Sequence, residues 1–179
     1  MALKPQDVYV LLKLAATGGE RRVPYSQLAL DLGMSPSEVH ASVKRSQASG
    51  LLHGSALGNR LNVSALEEFL FHGLRYSFPA ERGGLTRGVP TSWGAEPVRS
   101  QISSGADPVP VWPYEGGAVR GVALTPLYKS APAAALRHQS FYEYLVLADA
   151  LRDGRARERS IARTELHDRL KPVHADFKL

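Results

Sequence analysis

The sequence predicts a mainly helical α+β fold in which a small β-hairpin follows the first three helices. Apolar residues recur at helical spacing over 5–16 near the amino terminus and again over 141–170 near the carboxy terminus. Two short apolar runs, 51–53 and 61–63, flank a tip rich in Gly, Ser and Asn, as the strands of a hairpin do. Prolines and glycines become frequent over 79–132, which disfavours regular helix there.

Composition restricts the classes of protein to which the chain can belong. It has 179 residues, a net charge of +5 and no cysteine. Without cysteine, disulfides, thiolate zinc sites and thiol nucleophiles are excluded. No apolar run approaches the ~18 residues of a membrane span, and the residues from Met1 to Asp7 do not form a secretory signal. We therefore expect a cytoplasmic protein that does not associate with membranes, and its positive charge is compatible with an anionic partner.

The first two helices are expected between clear stop signals. Pro5 suits the first turn of a helix, and the glycines at 18 and 19 end that helix near Ala16. A short strand is expected at 21–23. A second helix is then predicted over 25–32, and Gly33 ends it.

The third helix has the strongest start signal in the chain. Ser35 can cap it, Pro36 needs no hydrogen-bond donor at its position, and Glu38 can reach back to complete a capping box. The helix is expected to run to Ser49. The hairpin strands follow, with residues 54–60 as the tip.

The chain is expected to divide at residue 78 into the segments 1–78 and 79–179. A fourth helix closes the first segment. It begins at a capping box made by Ser64 and Glu67, and it ends near Phe78.

The second segment is expected to combine a possible β-hairpin with a pair of helices. Strands over 109–112 and 118–124 would flank a turn at 113–117 within the Gly/Pro-rich middle. Helical periodicity then predicts two helices, over 141–151 and 155–170.

Four stretches of the first segment suit a pair of helices that meet at a fixed angle: Leu28-Ala29, Leu32-Gly33-Met34-Ser35-Pro36-Ser37-Glu38-Val39, Val43-Lys44-Arg45 and Gly50-Leu51-Leu52. Ala29 lets the two helices approach, and Gly33 permits the sharp turn between them. Together these stretches resemble the winged helix-turn-helix of MarR-like prokaryotic transcriptional regulators, over residues 4–76. The sequence departs from that pattern at Ser46, where such regulators usually have leucine, so we expect looser packing at the far end of the third helix.

The resemblance implies that the chain binds double-stranded DNA as a transcriptional regulator, and that it acts as a homodimeric repressor. The third helix would enter the major groove, and the hairpin, here called the wing, would reach the backbone or the minor groove. The residues implied as DNA contacts are Ser35, Ser37, His40, Ala41, Lys44 and Arg45 in the helix, and Asn59 and Arg60 in the wing.

Four residues of the penultimate helix are candidates for contact with a second chain: Phe141, Tyr142, Tyr144 and Leu145. They could form the seam of a homodimer that reads two half-sites, or they could be buried against the chain's own middle region. Residues 144–159 also resemble the ends of prokaryotic winged-helix proteins that are suspected of pairing with a toxin. The alternative function is therefore an antitoxin-like module that binds a partner protein encoded nearby and autoregulates its operon.

The stretch 82–88 contains three glycines and two arginines. Its Arg82-Gly83-Gly84 and Arg87-Gly88 runs could cradle a phosphate, because glycines expose backbone N–H groups and arginine adds a fixed charge. A turn-rich connector is the alternative interpretation.

Motifs of catalysis are missing from the sequence. The six histidines show no His-Glu-x-x-His spacing, and neither a Gly-x-Ser-x-Gly elbow nor a dinucleotide-binding fingerprint is present. The sequence therefore predicts no catalytic residue, no metal site and no cofactor.

Overall fold

The computed structural model describes residues 2–18, 23–55, 58–103 and 105–175, and within these ranges the chain has an α+β architecture. The first segment contains α1 (Pro5–Ala16), α2 (Tyr25–Leu32), α3 (Pro36–Ala48), β1 (Leu52–Ser55), β2 (Gly58–Leu61), α4 (Val63–His72) and α5 (Leu74–Ser77). The second contains β3 (Arg82–Pro90), β4 (Pro110–Pro113), β5 (Val119–Leu124), α6 (Ala131–Arg137), α7 (Gln139–Asp153) and α8 (Ala156–Ala175). None of the described helices combines the length and the apolar character needed to cross a bilayer.

The expected bounds of the first three helices agree with the structure to within one residue, and Gly19, part of the stop signal after α1, lies outside the described ranges. α2 ends at Gly33, whose φ of +64° is left-handed and therefore suits a residue without a side chain. α3 begins at the predicted capping box: the Ser35 hydroxyl accepts a hydrogen bond from the Glu38 backbone N–H, and the Glu38 carboxylate accepts one from the Ser35 backbone N–H at 2.9 Å. Of the short strand expected at 21–23, residues 21 and 22 lie outside the described ranges.

The wing strands extend further into the expected tip than the sequence predicted. β1 and β2 pair antiparallel, with Leu52 opposite Leu61 and Gly54 opposite Asn59. Asn59 and Arg60 are therefore strand residues rather than tip residues. The apolar pair at the base of the hairpin is buried and anchors it to the helices.

The fourth helix begins two residues earlier than expected and has a different cap. Asn62 is the N-cap, and its side-chain oxygen accepts a hydrogen bond from the Ala65 backbone N–H at 3.3 Å. The expected capping box of Ser64 and Glu67 is wrong, since Ser64 already lies inside the helix. The helix also stops at Gly73, so that the expected single helix is α4 followed by the single turn of α5.

The middle region forms a closed three-stranded sheet, and the expected simple hairpin is wrong. Both predicted strands exist, but β4 and β5 pair with each other in parallel, and each pairs antiparallel with β3. The closure requires backbones to pass very close together. A Cβ on Gly88 would lie 2.0 Å from the Trp112 carbonyl oxygen, and one on Gly121 would lie 2.0 Å from that of Val109. The glycines that suggested a loop therefore permit the sheet.

The second segment ends in three helices rather than the expected pair. α7 and α8 correspond to the two predicted helices, and α6 precedes them with Pro132 in its first turn. α6 is short and has an alanine-rich buried face, so its apolar pattern was too brief to identify from the sequence.

The two segments of the chain share one hydrophobic core. The ring of Tyr9 in α1 lies 5.2 Å from that of Phe141 in α7 and 5.5 Å from that of Tyr128, between centroids. All of α7 from Tyr144 to Arg152 is buried. α7 is therefore the central helix of the molecule, with α1 and α8 packed against it.

A buried ion pair in α7 connects the closed sheet to the first segment. The Asp149 carboxylate accepts hydrogen bonds from Thr91 Oγ1 at 2.8 Å, Trp112 Nε1 at 2.6 Å and Arg152 Nη1 at 2.6 Å. Burial raises the pKa of Asp149, and Arg152 opposes that effect. Arg152 also donates to the Phe78 carbonyl oxygen at 2.8 Å, at the end of α5. This network holds the junction between the two segments.

Candidate nucleic-acid interface

One face of α3 is exposed and carries small polar and basic side chains. The opposite face packs into the core through Val39 and Val43, both of which are buried. Side chains three or four residues apart share a helix face, so a single stripe remains for solvent. Of its five predicted members, Ala41 is half-buried and the other four are exposed: Ser35, Ser37, His40 and Lys44. The structure thus brings five of the six predicted helix contacts together.

Arg45 is the exception, and the expectation that it points outward is wrong. Its guanidinium lies against the fully buried Asp7 of α1, with Nε to Oδ2 at 2.8 Å and Nη2 to Oδ1 at 2.7 Å. Nη2 also donates to Ser42 Oγ at 3.2 Å. The hydrogen bonds to Asp7 raise the pKa of Arg45 above its usual value. Arg45 therefore fixes α3 on α1 and is not available to a ligand.

The wing is attached to α3 through Asn59, so the expectation that this side chain reaches out from the tip of the wing is wrong. Its side chain is half-buried, and it accepts a hydrogen bond from Gln47 Nε2 at 2.9 Å and donates one to the Tyr25 hydroxyl at 3.2 Å. Both ends of the amide are thus used within the chain. The Tyr25 ring also contacts the exposed ring of His40, with centroids 5.7 Å apart. α2, α3 and β2 are joined by this set of contacts.

Arg60, the other predicted wing contact, is exposed on β2. It lies directly opposite the exposed His53 of β1 in the antiparallel register. Because Gln47 at the far end of α3 contacts Asn59 next to it, the exposed face of α3 continues onto this strand pair. The two predicted surfaces, helix and wing, are neighbours.

The second segment holds the turn between α2 and α3. The Leu32 carbonyl oxygen accepts hydrogen bonds from the Tyr9 hydroxyl at 3.0 Å and from the Ser130 hydroxyl. A Cβ on Gly33 would lie 3.0 Å from the Ser130 Cβ, so the turn is packed tightly against this part of the chain. No local sequence signal links Ser130 to this turn, since 98 residues separate it from Leu32.

Glu38, in the first turn of α3, is bound by the second segment as well. Tyr128 donates a hydrogen bond from its hydroxyl to Glu38 Oε1 at 2.8 Å. The hydrogen bond from the Ser35 backbone, with those from Tyr128 and the Ser35 hydroxyl, lowers the pKa of Glu38 to about 2. Burial and the same carboxylate raise the pKa of Tyr128 to about 12. The contact therefore joins a carboxylate to a neutral phenol throughout the physiological range.

The predicted seam of aromatic residues in α7 is intramolecular, so its expected exposure to a second chain is wrong. Phe141, Tyr144 and Leu145 are buried. Tyr142 is half-buried, with its hydroxyl donating to the Pro90 carbonyl oxygen and its ring 5.8 Å from that of Trp112. Tyr142 thus packs on the chain's own middle region, as the alternative interpretation expected, whereas the Phe141 ring lies against Tyr9 of α1 and the Tyr144 hydroxyl donates to the Arg169 carbonyl oxygen of α8.

The stretch 82–88 is a strand of the closed sheet rather than a turn-rich connector. Arg82 forms two hydrogen bonds with the Asp153 carboxylate, Nε to Oδ1 at 2.7 Å and Nη2 to Oδ2 at 2.9 Å. Gly88 is buried against the Trp112 backbone. Arg82 and Gly88 therefore have roles in the fold.

Among the described residues, no group of three or more His, Asp or Glu side chains is arranged to hold a metal ion. Comparisons with protein-family models, with curated proteins and with solved structures found no match to the chain.

Proposed function

We propose that this chain is a sequence-specific DNA-binding transcriptional regulator of the winged helix-turn-helix type, acting as a homodimeric repressor. The observation that carries the proposal is the exposed face of α3. It presents Ser37, His40 and Lys44 side by side. Arg45 fixes the helix on α1, and the capping box fixes its first turn. A rigid helix with small and basic outward side chains suits the major groove of DNA.

The proposed mechanism divides the contacts into two kinds. Ser37, His40, Ala41 and Lys44 would meet base edges and set sequence preference, whereas Arg60 on the wing would meet the phosphate backbone. Phosphate contacts supply much of the affinity and make it depend on salt. A dimer on a palindromic operator would exclude RNA polymerase from the promoter.

The test is a salt titration of binding to short duplexes from the region upstream of the chain's own gene, against scrambled duplexes of equal length. The variants are His40→Ala and Lys44→Ala, with Lys171→Ala on α8 as a matched control. We expect the wild type to prefer one fragment and each α3 variant to lose about 1–3 kcal/mol of that preference. Equal, weak binding to every duplex that Lys44→Ala leaves unchanged would sink the proposal.

Arg45→Ala is excluded from this test. Because its guanidinium is paired with the buried Asp7, its replacement disturbs the fold, and a loss of DNA binding would carry no information about contact.

Burial of three of the candidate contacts in α7 removes this surface for an antitoxin-like partner and for a second copy of the chain alike. Of the four candidate partner contacts in α7, Phe141, Tyr144 and Leu145 are buried in the chain's own core. A partner protein would have to bind elsewhere. Copurification of the chain with the product of a neighbouring gene, together with instability of the chain when it is purified alone, would favour this alternative.

A further inference from the structure

Tyr128, Lys129 and Ser130 precede α6 and reach the amino end of α3 from the second segment. The Tyr128 hydroxyl binds Glu38 at 2.8 Å, and Ser130 binds the Leu32 carbonyl oxygen in the α2–α3 turn. The residue between them, Lys129, is exposed. Its Nζ lies 6.0 Å from the centroid of the Tyr128 ring. The positively charged side chain of Lys129 thus lies at the edge of the proposed DNA-binding face, although 128–130 is far from α3 in sequence.

Glu38 places a negative charge where a DNA duplex would approach this end of α3. Its carboxylate stays ionised because its hydrogen bonds to Ser35 and Tyr128 hold its pKa at about 2. A fixed negative charge in the first turn repels phosphate. Lys129 directly follows Tyr128, whose hydroxyl binds Glu38, and its positive charge is among the causes that lower the pKa of Glu38. Lys129 therefore offsets the one acid that the capping box places on this surface.

We propose that the DNA-binding surface extends beyond the winged helix-turn-helix, with Lys129 contacting a backbone phosphate beside the amino end of α3 and Tyr128 positioning that end through Glu38. The inference rests on the proposed function. It assigns to 128–130 a part in DNA binding, so that the second segment contributes directly to the interface. Because phosphate carries no sequence information, Lys129 adds affinity and leaves the preference among sequences unchanged.

The experiment measures fluorescence anisotropy of labelled 20-base-pair duplexes of preferred and scrambled sequence with the full-length chain between about 50 and 200 mM KCl. Lys129→Ala is expected to weaken binding to both duplexes by the same factor and to reduce the slope of log K against log salt by about one. Lys44→Ala is expected to lower the ratio between the two duplexes. Lys171→Ala, on a helix that packs against α4 and α7, is the matched control and should leave both quantities unchanged.

A second pair of variants tests the electrostatic argument. In the Lys129→Ala background, Glu38→Gln removes the uncompensated charge and is expected to recover part of the lost affinity. Tyr128→Phe removes the hydroxyl that binds Glu38 and keeps the ring. It is expected to lower the preference between duplexes while the salt slope stays that of the wild type, which separates positioning from phosphate contact.

These variants distinguish failure of the extended DNA-binding surface from failure of the proposed function. If Lys44→Ala lowers the preference while Lys129→Ala has the salt slope of the wild type, the proposed function stands and the extension of the surface is overturned. If Glu38→Gln recovers nothing in the Lys129→Ala background, the compensation of Glu38 by Lys129 is overturned. If the wild type shows no preference and no variant changes binding, the proposed function fails, and this inference fails with it.

Discussion

Arg45 binds the carboxylate of Asp7 through two hydrogen bonds, of 2.8 and 2.7 Å, and so joins α3 to the amino end of α1. Asp7 is fully buried, and it also accepts a hydrogen bond from the Lys4 backbone N–H at 2.8 Å. One carboxylate thus caps α1 and binds α3. The orientation of the exposed face of α3 depends on this pair.

Breaking the pair should destabilise the chain strongly. Arg45→Ala leaves the buried Asp7 charge without its partner, and we expect the free energy of unfolding to fall by about 3–5 kcal/mol. Lys44→Ala, one residue away and exposed, is expected to change it by no more than about 0.5 kcal/mol. Urea denaturation followed by circular dichroism measures both. An Arg45→Ala chain as stable as the wild type would show that the pair does not hold the helices.

Replacement of Ser46 by alanine should stabilise the fold. Its side chain is fully buried, and no described group accepts or donates a hydrogen bond to its hydroxyl. Ser46→Ala removes the unsatisfied hydroxyl and is expected to raise the free energy of unfolding by about 1 kcal/mol. Ser42→Ala is the matched control, because that buried hydroxyl accepts a hydrogen bond from Arg45 and its loss should destabilise. Destabilisation by Ser46→Ala would mean that its hydroxyl has a partner.

Glu38 should titrate far below an ordinary glutamate. NMR of its side-chain carboxyl is expected to give a pKa of about 2. Because the folded pKa is lower than the unfolded one, ionised Glu38 stabilises the fold above the unfolded pKa of 4.5, and this contribution is lost as the pH falls from there towards 2. Tyr128→Phe should raise the pKa, since one of the hydrogen bonds that lower it is removed. An unchanged value in that variant would contradict the assigned role of Tyr128.

Local signals predicted the parts of the site that depend on neighbours in sequence. The ends of α2 and α3 follow from Gly33 and from the Ser35–Glu38 capping box, whose partners are three residues apart. The exposure of His40 and Lys44 follows from helical periodicity. Arg45 lies at the boundary of that face, and only its partner Asp7, 38 residues away, decides which way it turns.

Long-range contacts account for what the sequence did not predict. The contact between Tyr128 and Glu38 spans 90 residues and has no motif. The strand β3 contains three glycines, which by themselves favour a loop, and it forms because β4 and β5 approach so closely that only glycine fits at positions such as Gly88. Burial of Phe141 likewise depends on where α1 packs.

Two arginines face each other on the closed sheet, which should cost stability. Arg87 on β3 lies directly opposite Arg120 on β5, and both are exposed. Like charges at such positions repel, so Arg120→Thr is expected to raise the free energy of unfolding by about 0.2–1 kcal/mol. The gain should shrink in 1 M salt, where the Debye length is about 3 Å. Arg120→Lys keeps the charge and should show no such gain. A salt-independent effect would point to strand propensity instead of repulsion.

Replacement of Phe141 distinguishes the two roles considered for α7, the central helix of one chain and a seam between two chains. Its ring is fully buried and lies 5.2 Å from that of Tyr9, so Phe141→Ala leaves a cavity between α1 and α7. We expect a loss of about 3–5 kcal/mol in the free energy of unfolding, with the molar mass from light scattering equal to that of the wild type while the variant is folded. Leu136→Ala is the control, because that side chain is 55% exposed and its truncation should have little effect on stability. If Phe141→Ala instead kept the stability of the wild type and halved its molar mass, α7 would be a seam between chains rather than the centre of one.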